Sequence, residues 1–116
     1  MRHELILLSI ALTGIACATT SSTERLEASA AAIRSAEEIG AQNIPQANLH
    51  LQLAKEQSQH AKQLIEAGGD KEEAASLLAR AEVDAELARA LAREDSTRTQ
   101  AQQAIDRVKT INQTNQ

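Results

Sequence analysis

The stretch Ile65-Glu66-Ala67-Gly68-Gly69-Asp70-Lys71-Glu72-Glu73 decides how this chain folds. A periodic apolar run ends at Ala67. Gly68 and Gly69 follow, and they supply the freedom for positive φ that helix C-termini commonly need. Asp70 is placed to cap a new helix, and Glu73 stands three residues on, at capping-box spacing. Both acids also suit the first turn of a helix dipole. So short a connection makes its two helices antiparallel neighbours. The hairpin runs from Pro45 to about Leu91.

Upstream of the bend, Ala47, Leu51, Ala54, Ser58, Ala61, Ile65 and Gly68 step by four and three residues, which puts them on one helical face. Leu53 and Leu64 widen that stripe, and Leu49 falls outside it. Downstream, Ala74, Leu77, Leu78, Ala81, Ala85, Ala88, Leu91 and Ala92 repeat the pattern. Seams this rich in small residues allow close approach and knobs-into-holes packing.

An earlier helix is expected to start near Thr23. Its face carries Leu26, Ala30, Ile33, Ala36 and Gly40, and Gly40-Ala41-Gln42-Asn43 ends it. Ile44-Pro45 opens the next helix, with Pro at the tolerated first position. The expectation is an all-α fold, a three-helix antiparallel bundle or coiled-coil-like hairpin with a long C-terminal helix. Leu51, Leu78 and Ile33 are expected in its core. The helical domain is placed at residues 24–111.

Past Leu91 the sequence changes character. Residues 93–100 are polar, but no Gly or Pro breaks the helix. Ala101, Ala104, Ile105, Val108 and Ile111 then resume an apolar stripe. The last helix is expected to reach about Thr110, beyond the ends of its neighbours, with residues 112–116 a disordered tail. Such an overhang either meets a helical partner, meets another copy, or frays. Leu49, Leu87, Ile105, Val108 and Ile111 are the expected contact residues.

Composition agrees with this reading and narrows function. In 116 residues Ala occurs 23 times, Pro once, and Phe, Tyr and Trp not at all. Helix formers without aromatics give an all-α chain with a thin core. Base stacking on aromatic side chains is excluded, and a net charge of −4 argues against nucleic acid as a partner.

No constellation for catalysis or metal binding emerges. His3 lies in the N-terminal segment, and His50 and His60 stand ten residues apart with no zinc-type spacing. Glu56 precedes His60 by four residues, a helix-surface pair. Asp84 and Glu86 would need a pocket to act as an acid–base pair. Asp84 is instead expected half-buried against Arg34 or Lys62, fixing register. Gly68-Gly69-Asp70-Lys71 lacks the spacing of a phosphate loop. The expectation is no enzyme, no cofactor, no metal and no small-molecule substrate.

The N-terminus reads as an export signal. Met1-Arg2-His3-Glu4 precedes a 12-residue uncharged stretch, Leu5 to Ala16, too short to span a bilayer. It ends at Ala16-Cys17, and Cys17 is the chain's single cysteine. This segment resembles a bacterial lipoprotein lipobox, although Gly14 stands where Leu is usual. The resemblance implies cleavage after Ala16 and acylation of Cys17, with palmitate-class chains. Ala18 rather than Asp after the cysteine implies sorting to the outer membrane, on its periplasmic face. Two or more acyl chains anchor stably where one does not. Residues 17–23 then form an acylated, flexible tether.

From about Ala28 to Ala92 the chain resembles domain of unknown function 4398, a family of Ala-rich helical domains in Gram-negative envelope lipoproteins. The segments that carry the likeness are Ala32-Ile33, Gly40-Ala41, Ile44-Pro45, Leu51 to Ala54, Leu64 to Gly68 and Asp84 to Ala88. The resemblance implies helical fold and envelope location, and it brings no catalytic residues with it. The expected function is a lipid-anchored periplasmic protein that binds a helical protein or itself, or serves as an envelope scaffold. The alternatives are a spacer resembling murein lipoproteins, between outer membrane and cell wall, and an unacylated periplasmic helical binding protein.

Overall fold

The computed structural model describes residues 20–115. They form α1 (Ser22–Glu38), a 3-10 turn (Ala41–Asn43), α2 (Pro45–Glu66) and α3 (Lys71–Thr114). The described residues are all-helical, with α3 packed along both other helices. α1 and α3 run parallel, and α2 runs antiparallel to both.

Each boundary has a local cause. Ser21 caps α1 in a full capping box with Glu24: Glu24 N–H donates to Ser21 Oγ at 3.2 Å, and Ser21 N–H donates to Glu24 Oε2 at 3.0 Å. This Ser-x-x-Glu box draws Ser22 and Thr23, expected before the helix or at its start, into α1. Gly40, at φ 83°, ends α1 in the left-handed region. Pro45 is the first residue of α2.

At the α2–α3 bend only Gly68 has positive φ, at 68°. Its N–H donates to Ile65 O (3.2 Å), and Gly69 N–H donates to Leu64 O (2.8 Å). Those two bonds are a Schellman closure. Gly69 has a different role: a Cβ there would meet Leu64 Cδ2 and O at 3.3 Å. Asp70 caps α3 by accepting from Glu72 N–H (2.8 Å) and Glu73 N–H (3.0 Å). The return bond from Glu73 is not made, so this cap is half of the box expected.

The core is almost entirely alanine. One cluster joins Ala36, Ala41, Ala47, Leu51, Ala88 and Ala92 near the 3-10 turn. A second joins Ala61, Ala74 and Leu78 near the Gly68 bend. Leu51 and Leu78 are the large residues fully enclosed. Ile33 is only partly buried beside the first cluster, because α1 presents Ser29 and Ala36 inward instead. The α2 and α3 stripes are buried nearly as the spacing predicts.

Helix α3 has 44 residues, about 66 Å at 1.5 Å per residue. Its first half is packed and its second half, from Arg93, is exposed throughout. It runs four residues beyond the expected end, through the segment expected to be a disordered tail. No Gly or Pro stops it there, and Thr110 and Thr114 hydroxyls donate to the carbonyls of Asp106 (3.0 Å) and Thr110 (2.9 Å).

Candidate functional site

Polar ties stitch every helix pair of the bundle. Between α1 and α2, Ser29 and Ser58 hydroxyls lie 3.0 Å apart in the core. Ser29 spends its single proton on Leu26 O at 2.9 Å. Ser58 is therefore the donor to Ser29. Lys55 and Glu37 close the same seam at the surface, at 2.5 Å. Between α1 and α3, Arg89 donates to Ser35 Oγ at 3.4 Å.

The tie between α2 and α3 centres on Asp84. Its Oδ1 lies 2.9 Å from His50 Nδ1, and its Oδ2 accepts from Gln57 Nε2 at 2.9 Å. The carboxylate is 19% exposed and the imidazole 28%. Gln57 Oε1 is buried with no partner. Asp84 thus lies half-buried, as expected, but its partners are His50 and Gln57 rather than Arg34 or Lys62. Those two cations instead rim a shallow trough of about 460 Å³ between α1 and α2, floored by Leu26, Ala30 and Ile33.

A His–Asp pair can serve as a general base when it also reaches a nucleophile. Among the described residues His50 has no hydrogen bond to a hydroxyl or thiol; its bond to Asp84, with that of Gln57, joins α2 to α3 across their seam. His60 and Glu86 are exposed and apart from it. No three of His, Cys, Asp and Glu converge among the described residues as a metal site would require.

The expected contact residues are all on the surface: Leu49 60%, Leu87 40%, Ile105 50%, Val108 57% and Ile111 58% exposed. Leu87, Ile105, Val108 and Ile111 share α3, whereas Leu49 is on α2, one turn before Leu53, which was expected to widen the buried stripe and is exposed as well. Val83, 67% exposed on α3, belongs with them and was not foreseen. Its signal was an apolar residue two positions off the buried register. Ser29 and Gln57 were also unforeseen, since a buried Ser or Gln reads from sequence as an ordinary polar residue.

Ala16 and Cys17 lie outside the described residues, as does most of the tether. Among the described residues no helix is long and apolar enough to cross a membrane. No curated protein and no solved structure matches the chain. Residues 24–113 match the family described as "Domain of unknown function (DUF4398)". That match spans nearly the whole helical body and most of the chain, and the protein is a member of the DUF4398 family.

Proposed function

We propose that this protein is a non-catalytic scaffold, lipid-anchored through Cys17 to the periplasmic face of the outer membrane, which binds through α3. The observation that carries the binding reading is the exposed second half of α3. It keeps Ile105, Val108 and Ile111 in water, and only its first two turns, through Glu94, Asp95 and Arg98, come beside Ile44 and Gln46 of the bundle. Helices are held in proteins mainly by packing an apolar face, so a long helix with such a face and no neighbour suits an external one. The anchoring reading rests on Ala16-Cys17 after an apolar stretch.

Topology adds direction. Ser22 lies beside the Gly68–Asp70 bend, and the free half of α3 leaves from the other end. A chain held at its N-terminus would present that helix away from the membrane. The same geometry favours the spacer as second reading.

The test is the intact mass of protein taken from membranes, beside a Cys17→Ala variant, with fractionation of both. A mass of residues 17–116 plus acyl chains, lost together with membrane association in the variant, supports anchoring. An unacylated mass in the soluble fraction overturns it. Ile105→Glu with Val108→Glu tests binding: unchanged oligomeric state and unchanged crosslinking partners would overturn the role of α3.

A further inference from the structure

Helix α3 carries two seams, and only one is used. The buried seam is Ala74, Leu78, Ala81, Ala85, Ala88 and Ala92. Two residues further on, a second series begins: Val83, Leu87, Ala90, Glu94, Thr97, Ala101, Ala104, Val108 and Ile111. It steps by four and three without a break, and every member is exposed. An offset of two residues is about 200° around the helix. The second seam therefore lies opposite α1 and α2, and it runs from the bundle onto the overhang without interruption. A 3.5-residue repeat of this kind is the pattern of a coiled-coil contact.

We infer that the occupant of this seam is a second copy of the chain, paired antiparallel about a twofold axis between Asp95 and Ser96. In that register Val83 meets Val108 of the other copy, Leu87 meets Ala104, Ala90 meets Ala101 and Glu94 meets Thr97. Val83–Val108 closes each end of the paired seam, and Ile111 reaches one turn further beside the aliphatic stem of Arg80. Ala90–Ala101, on either side of the polar Glu94–Thr97 centre, lets the helices approach closely. The flanking charges select this orientation. Glu86 faces Arg107 of the other copy, and twofold symmetry makes that pair twice. Glu94 meets Thr97 rather than a second acid, and pairs with Arg98 on its own helix at 2.6 Å.

A parallel pairing in register sets Glu94 directly against Glu94 and Arg93 beside Arg98. Like charges so placed suppress that arrangement. In the antiparallel form each overhang covers the outer face of the other copy's bundle. This deepens the reading of α3 as a binding helix and rests on it for the surface alone. The antiparallel form sets the two N-termini at opposite ends, so a dimer with both copies anchored lies along the membrane, where a single anchored chain would stand away from it. Pairing itself does not need Cys17, and a soluble dimer would separate the two ideas.

The test is disulfide trapping on the full chain in detergent, with Cys17 acylated or replaced by Ser. Ala90→Cys and Ala101→Cys are prepared separately and then mixed, with circular dichroism confirming that each is folded. The antiparallel dimer predicts a crosslink in the mixture and none in either variant alone, because residue 90 of the two copies would stand about 16 Å apart along the axis. Crosslinking of Ala90→Cys with itself establishes a parallel pairing and overturns the proposal. So does the absence of any crosslink together with a monomeric mass in sedimentation. Charge reversal gives a second readout. Glu86→Arg should abolish the dimer, and adding Arg107→Glu should restore it. Failure of that rescue overturns the assigned register.

Discussion

The two halves of α3 are one uninterrupted helix built on different principles. Residues 71–92 bury an alanine seam against two neighbours and are tied to them by Asp84 and Arg89. From Arg93 onward every side chain is exposed, and the polar bonds are local, such as Arg98 to Glu94 at 2.6 Å and Gln100 to Ser96 at 3.1 Å. Pairs of this kind contribute only a few tenths of a kcal/mol each. The first half is helical because it is packed. The second is helical because nothing in its sequence stops it, and its apolar residues remain available for other contacts.

The comparison is open to attack by mutation. The largest expected effect is in the packed half. Leu78→Ala, like Leu51→Ala on α2, should cost about 2–5 kcal/mol in denaturant unfolding, since both side chains are fully enclosed. Val108→Ala should leave monomer stability within about 0.5 kcal/mol. Equal losses at both sites would erase the distinction.

Next comes the polar tie. Asp84→Ala strands His50 and Gln57 partly buried, at an expected cost of about 1–3 kcal/mol. Gln102→Ala, which removes the bond to Asp106 on the overhang, should be close to silent.

Gly40→Ala forces a side chain into φ 83° and should cost about 1–2 kcal/mol by thermal unfolding. The smallest effect sharpens the contrast. Ala101→Gly should lower local helix stability by about 1 kcal/mol, seen as faster amide exchange confined to the overhang, with global unfolding unchanged. If the overhang is paired in a dimer, exchange there should slow as protein concentration rises.

Much of this fold could be read from the residues. The four-and-three spacing on α2 and α3 identified the buried face, because a helix that buries one side must repeat near 3.5 residues. Gly68 and Asp70 identified the bend through backbone chemistry. Other features depend on what stands opposite. Ser29 is buried because Ser58 meets it across the α1–α2 seam, and spacing within one helix carries no record of that. Asp84 was expected to meet a cation and instead meets His50 and Gln57. Facing pairs depend on interhelical rotation, which periodicity leaves undetermined. The apolar residues of the overhang were plain in the sequence, but their continuity with Val83 and Leu87 became visible only once the first seam was seen to be filled on the opposite side.

An odd number of helices has a mechanical consequence. Ser22 lies beside the Gly68 bend and α3 leaves past the 3-10 turn, so Ser22 and Thr114 lie at opposite poles of the body. Tension between them runs along the helix axes and loads the alanine seams in shear, where many contacts must give together. Tension between Ser22 and Gly69, which share a pole, would unzip α1 from α2 one turn at a time. Single-molecule pulling should therefore find the Ser22–Thr114 direction stronger than the Ser22–Gly69 direction. Equal rupture forces would mean that the seams do not bear load cooperatively. A body of this shape resists being stretched from Ser22 to Thr114 more than being opened at the pole where Ser22 and Gly69 meet.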